Sequence, residues 1–175
     1  MPSLRFILAN PDTHRAALLQ LNVEYMTWVL AEVEKITGTH AEEMLGMTVP
    51  QYVASVIDKV CGAPPPQGAF YLLEIDGVVA GMGGIRRVRD GVAEVKRIYV
   101  RPEHRGRQLG ETILLRVLDD AKQFGYQHVL LDSGPFMHSA HKVYQAQGFV
   151  DCAAYAEAEV PAAWHAMWRF MVRSN

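Results

Sequence analysis

The stretch from Val92 to Leu118, VAEVKRIYVRPEHRGRQLGETILLRVL, constrains the fold more than any other part of the chain. Val92 to Val100 is rich in β-branched and aromatic residues and reads as a strand. Arg101-Pro102 ends it, because proline has no N–H for the ladder and turns its predecessor away from helix. A short basic turn follows, Arg105-Gly106-Arg107-Gln108-Leu109-Gly110. From Leu109 the apolar residues fall at Ile113, Leu114, Val117, Leu118, Ala121 and Phe124, the spacing of one helix face. A helix start presents unpaired N–H groups and the positive end of the helix dipole. With arginines beside it, strand, basic turn and helix together predict a phosphate-binding site. The turn is neither a P-loop, lacking Gly-Lys-Ser/Thr, nor a dinucleotide fingerprint, lacking G-x-G-x-x-G.

The turn resembles the acyl-CoA-binding signature of the GNAT family of N-acetyltransferases, Arg/Gln-x-x-Gly-x-Gly/Ala. Arg105 fills the first position and Gly110 the last, while Gln108 stands at the middle glycine. A side chain there is tolerated if its φ stays negative. A second resemblance lies in Leu130 to Phe149. Its Ala140-His141-Lys142-Val143-Tyr144, trailed by Gly148-Phe149, is similar to the family's tyrosine helix and Gly-Phe ending. The two motifs stand in the family's order and separation, and the likeness covers about residues 70 to 150.

The rest of the chain reads as one globular domain over residues 1–175. Half of the residues are hydrophobic and 21% are charged, enough for a sizeable core. Leu4 to Ala9 reads as a strand, and Asn10-Pro11-Asp12 as a helix start. Helical spacing then runs from Ala17 to Ile36 and stops at Gly38, and Thr48-Val49-Pro50 opens a second helix through Val60. Ala69 to Ile75 and Val78 to Val88 read as a hairpin turning at Asp76-Gly77. Gly81, Gly83 and Gly84 mark a bulge or a close backbone approach. After the central helix, Gln127 to Asp132 reads as a strand parallel to Val92–Val100, then a helix from about Phe136 to Gln147. Phe149–Ala154 and Trp164–Val172 read as closing strands. This order is what the resemblance implies: an α/β (α+β) fold, the GNAT acyl-CoA N-acyltransferase fold. Its central mixed, mostly antiparallel sheet is flanked by helices, with a splayed parallel strand pair at the cofactor site.

The net charge of −2 argues against a nucleic-acid partner. Arg86, Arg87, Arg89, Lys96, Arg97, Arg101, Arg105 and Arg107 read as a basic patch around the turn, and Glu24 to Glu43 as an acidic region suited to a cationic ligand. Cys61 and Cys152 form no disulfide framework, which favours a cytoplasmic protein. No apolar run approaches the ~18 residues of a membrane span, so no membrane partner is expected.

The resemblance implies acetyl-CoA as cosubstrate, with N-acetyl transfer by direct attack of a primary amine in a ternary complex. The diphosphate would sit on the N–H groups of Arg105, Gly106, Arg107, Gln108, Leu109, Gly110 and Glu111. The pantetheine and the oxyanion would meet the backbone of Ile98, Tyr99 and Val100. Ser139, Lys142 and Tyr144 would contact the cofactor from the later helix. Tyr144, a phenol with pKa ~10, is the expected acid for the leaving thiolate. Glu94 matches a catalytic glutamate of some relatives, acting directly or through water, or else it pairs with Lys96 or Arg97. A β-bulge in its strand would decide which face it takes. His138 and His141, without a third ligand, read as polar helix residues rather than a metal site. Trp164 and Trp168 read as packing residues. The implied acceptor pocket is formed by the first two helices, the Gly81–Gly84 strand and the Tyr155–Trp164 loop, for a small-molecule or peptide amine. The rival reading is a silent acyl-CoA-binding or sensory domain, or transfer from another acyl-CoA. A homodimer is left open.

Overall fold

The computed structural model describes residues 1–175. In chain order the elements are β1 (Leu4–Leu8), α1 (Arg15–Thr37), α2 (Ala41–Leu45), α3 (Val49–Cys61), β2 (Gly68–Ile75), β3 (Val78–Arg89), β4 (Val92–Val100), α4 (Leu109–Gln123), β5 (His128–Ser133), α5 (His138–Ala146), β6 (Val150–Asp151) and β7 (Arg169–Ser174). They build one seven-stranded sheet in the order β1-β2-β3-β4-β5-β7-β6. Every neighbouring pair is antiparallel except β4 and β5. The expected fold class is the observed one. No helix is long and apolar enough to cross a membrane.

Helices cover both faces of the sheet. On one, Leu18 and Leu21 of α1 and Val53, Ile57 and Val60 of α3 bury against Phe70, Leu72, Met82 and Tyr99. On the other, Leu114, Val117, Leu118 and Ala121 of α4 pack on Tyr71, Ile85, Ala93, Val95 and Val129. The glycines of β3 make the close approach possible. A Cβ on Gly83 would stand 2.6 Å from Ile113 of α4, and one on Gly84 only 2.5 Å from the Ala69 carbonyl oxygen.

Several boundaries differ from the expected ones. Asn10 does not cap α1: its Oδ1 accepts from Asp12 N at 2.8 Å, making a local turn, and the helix begins only at Arg15, without a side-chain cap. The short-range side-chain bond competes successfully with the helix. Helix α2, between two left-handed glycines, was not anticipated, because five residues carry no readable period. The Thr48 cap does form, as a capping box with Gln51. The closing hairpin is shorter than expected. Trp164 lies in a 3-10 turn and β7 starts only at Arg169.

Strand β4 contains the bulge. Met82 pairs with Tyr99 and Gly84 with Lys96, so Arg97 and Ile98 together oppose Gly83. Arg97 takes the left-handed conformation, φ 49. The extra residue reverses the alternation. Ala93 and Val95 face α4 before it, Ile98 faces α4 after it, and Tyr99 faces α1. Glu94 and Lys96 therefore lie on the α1/α3 side of the sheet.

Candidate active site

The parallel pair is short. Strands β4 and β5 pair only from Val92 to Glu94 against His128 to Leu130, then part. Beyond that point β5 stays paired to β7, while the β5-side edge of β4 from Val95 to Val100 has no strand partner. The basic turn lies at the far end of this free edge. Its N–H groups from Gly106 to Glu111 find no acceptor in the protein, and the first bond of the helix is Thr112 N to Gln108 O at 3.0 Å. Arg105 N is already bonded to Pro102 O, so the free run begins one residue later than expected.

Gly106 and Gln108 are both left-handed, φ 78 and φ 57. The expectation of a negative φ at Gln108 is thus corrected: the turn keeps a glycine-like conformation, at a cost of about 1 kcal/mol for a side chain. Left-handed residues alternating with ordinary ones curl successive N–H groups inward as an anion nest. A Cβ on Gly110 would meet no protein atom within 4 Å. No packing need within the chain explains that glycine.

The expected basic patch is mostly neutralised within the protein. Arg101 holds Glu24, Arg87 holds Asp90 and Arg89 holds Glu157. Glu32 pairs with Lys35 and Glu34 with His40, so the acidic region is also largely satisfied locally. Only Arg105 and Arg107 remain at the turn. Arg105 donates its Nε to Val100 O at 3.0 Å, and its guanidinium lies 5.7 Å from the Trp28 ring and 5.8 Å from Tyr99.

A cavity of about 300 Å³ opens where β4 and β5 part. Helices α1, α2 and α3 contribute Tyr25, Met44 and Tyr52, β4 contributes Val95 to Arg97, and β5 contributes Asp132. The loop before β7 closes it with Glu159, Trp164 and Trp168. Two expectations need correction here. The Gly81–Gly84 segment does not line the cavity, because those glycines face Tyr99, Ile113 and Phe70. The two tryptophans stack on each other 5.7 Å apart and form its wall, rather than serving only to pack the closing strands.

Glu94 is fully buried, 0% exposed, and does not reach the cavity. Its Oε1 accepts from Arg86 Nη2 at 3.1 Å and lies 3.2 Å from Lys96 Nζ, and its Oε2 accepts from Tyr155 at 2.7 Å. Pairing with Lys96 was one of the two expected roles. Each of its two oxygens thus already has a protein partner.

Asp132 is the carboxylate that faces the cavity, with Trp168 Nε1 donating to it at 2.9 Å. Burial pushes its pKa up, against the attraction of Lys96. Burial likewise pushes the Tyr144 hydroxyl well above its usual range, with the neighbouring Tyr25 and Asp132 adding to it. The hydroxyls of Tyr25 and Tyr144 and the Asp132 carboxylate thus share one electrostatic neighbourhood, and the Tyr144 hydroxyl has no protein hydrogen bond. Ser139 and Lys142 are exposed on α5. His141 bonds through Nε2 to Ser133 Oγ at 3.0 Å, tying α5 to the end of β5.

Sequence reasoning missed Asp132 and Glu159. Asp132 carried one signal, as the charged residue ending a parallel strand, where α/β sheets bind ligands. Glu159 carried none.

Comparison with known proteins agrees with this arrangement. The profile of the acetyltransferase (GNAT) family matches residues 18–149. An IAA acetyltransferase of Azospirillum brasilense is 36% identical over 87 residues, covering 49% of this chain and 57% of that protein. Human N-acetyltransferase 8 is 34% identical over 85 residues, covering 46% of this chain and 37% of that protein. The chain spans about half the length of the curated relatives it matches. Among solved structures, the PaiA N-acetyltransferase of Thermoplasma acidophilum in complex with coenzyme A superposes with a TM-score of 0.68 at 15% identity, over 99% of both chains. A GNAT acetyltransferase of Elizabethkingia anophelis with acetyl-CoA bound gives 0.55 at 18% identity, over 69% of this chain and 82% of that one. The match over residues 18–149, on a sheet split between β4 and β5 with an anion nest at the start of α4, settles the family: the chain belongs to the GNAT acetyltransferases.

Proposed function

We propose that residues 1–175 act as one domain, an N-acetyltransferase that moves the acetyl group of acetyl-CoA directly onto a primary amine. The observation that carries this reading is the run of unpaired N–H groups from Gly106 to Glu111, at the end of a strand edge left open by its neighbour. Those donors, with Arg105 and Arg107, take the diphosphate. The free edge of β4 pairs with the pantetheine amides as an added strand would. A backbone N–H of Ile98, Tyr99 or Val100 meets the oxyanion, and Ser139 and Lys142 flank the cofactor from α5.

The amine enters from the cavity between the aromatic walls. Asp132 takes its proton, because a carboxylate lifted by burial is a better base than an exposed one. The amine nitrogen then bonds to the acetyl carbon, the carbon–sulfur bond breaks, and Tyr144 donates its hydroxyl proton or a hydrogen bond to the leaving sulfur. The order needs no acyl-enzyme. Glu94 acts as a positioning residue, tying Arg86 and Lys96 to Tyr155 and so holding the loop over the cavity.

Thiol release from acetyl-CoA, followed across a panel of amines, tests the reading. Release with at least one class of amine is expected. Coenzyme A binding without release for every amine would instead identify a silent acyl-CoA-binding domain.

A further inference from the structure

The cavity contains a cation that the protein satisfies only in part. Arg97 has a side chain only 6% exposed, yet it lines the cavity and makes a single hydrogen bond, Nη1 to Asn22 Oδ1 at 2.8 Å. A guanidinium carries five N–H donors, and a buried one normally places most of them. Its next neighbour, Glu159 Oε2, stands 3.9 Å from Nη2, beyond hydrogen-bond range. The one bond it makes is itself rigid. Asn22 is wholly buried and gives its Nδ2 to Leu18 O at 2.8 Å, so its oxygen is fixed toward Arg97. The backbone of Arg97 is left-handed at the bulge, a conformation that costs free energy for any side chain but glycine. Strain of this kind persists where it aims a group at a site.

Glu159 lines the cavity beside Arg97. Its Oε1 is shut away from solvent, 3.4 Å from Lys59 Nζ and 3.7 Å from Arg86 Nη2. Its Oε2 accepts one hydrogen bond, from Lys96 Nζ at 3.4 Å, and keeps a lone pair for a further donor. Of the charged groups lining the cavity, Lys96 and Arg97 stand with Asp132 and Glu159. Lys96 is held by Glu94 at 3.2 Å and Glu159 at 3.4 Å, which leaves Arg97 as the lining cation with no carboxylate in hydrogen-bond range. The cavity therefore favours a ligand that brings a negative charge, an N–H donor and an apolar group for the tryptophan and methionine walls.

We propose that the acceptor is an α-amino acid with an apolar or aromatic side chain. Arg97 takes its carboxylate, Glu159 Oε2 takes an N–H of its amino group, and Trp164, Trp168 and Met26 hold its side chain. This rests on the acetyltransferase reading and adds the identity of the acceptor to it.

The test compares phenylalanine and methionine with phenethylamine and phenylalaninamide, which lack the carboxylate. Thiol release from acetyl-CoA is followed for the wild-type protein and Arg97→Gln. The wild type is expected to prefer the amino acids in kcat/KM on the order of 100-fold, because without the carboxylate a buried guanidinium is left unpaired. In Arg97→Gln that preference should collapse toward unity, with the change in KM rather than kcat. Equal use of amine and amino acid by the wild type would overturn the proposal, whether or not the variant folds. If no acceptor releases thiol, the acetyltransferase reading fails separately. The acceptor site is then read by tryptophan fluorescence on coenzyme A-loaded protein. A change with phenylalanine but not phenethylamine supports the site, and no change with either refutes it.

Discussion

Asp132→Asn is expected to lower kcat by about 100- to 10,000-fold, the range for loss of a general base, while making the folded protein more stable at neutral pH. The two effects have one origin. Burial raises the folded-state pKa of Asp132 above the unfolded value of ~3.9. A raised carboxyl favours the fold when protonated. Its ionisation therefore takes stability away, beginning above the unfolded pKa and completing as pH rises through the folded one. Any ionisation of this carboxyl at neutral pH is therefore a net cost, and asparagine removes that cost while still accepting from Trp168 through its Oδ1. Thermal melts should show a higher Tm for the variant at neutral pH and no gain near pH ~3, below the unfolded carboxyl value. The acidic limb of the wild-type kcat/KM profile should lie above the ordinary carboxylate range. A variant with wild-type kcat would remove Asp132 from the chemistry.

Tyr144→Phe is expected to lower kcat by about 100-fold, the small end of general acid catalysis. A thiolate is a tolerable leaving group even unprotonated, since a free thiol has pKa ~8.5. Burial, with Tyr25 and Asp132 adding to it, holds the Tyr144 hydroxyl above its ordinary range, so it stays protonated wherever the enzyme works. The profile should then show no basic limb from this phenol at neutral pH. Because the interaction forms only as the sulfur departs, kcat and kcat/KM should fall together with KM for acetyl-CoA little changed. The ring packs against Phe149 at 6.0 Å, and phenylalanine keeps that contact, so Tm should hardly move. A rise in KM with kcat intact would reassign Tyr144 to binding.

What the sequence disclosed follows the range of the interactions involved. The strand, basic turn and helix from Val92 to Leu118 are local. Their periods and breakers could be read directly, as could the Asp76-Gly77 hairpin and the Thr48 cap. The open run of N–H groups at the turn was legible for the same reason, since its donors are consecutive. Where local signals competed, the reading slipped. Asn10 could cap a helix or close a turn, and it closes the turn. The alternation in β4 was unreadable until the bulge at Arg97 reversed it, and that bulge depends on the facing Gly83 of β3. Gln108 gave no hint of its left-handed backbone, because the turn geometry rather than the side chain imposes it.

The cavity was far less visible. Asn22, Arg97, Asp132 and Glu159 come from α1, β4, β5 and the loop before β7, and no spacing links them. Arg97 was counted among the basic residues of the turn, whereas the bulge directs it into the cavity. Glu94 drew attention because it matches a catalytic glutamate of some relatives, with pairing to Lys96 or Arg97 as the alternative, and only the fold shows that Arg86 and Tyr155 hold it as well.

The central claim is that main-chain donors at the start of α4 hold a diphosphate. Calorimetric titration of the folded protein with coenzyme A, beside pantetheine that lacks the diphosphate, measures it most directly. Saturable heat with coenzyme A is expected, and affinity for pantetheine weaker by about 100-fold or more, since charge-assisted bonds to the diphosphate would be lost. No heat with coenzyme A, or equal affinity for both, would contradict it.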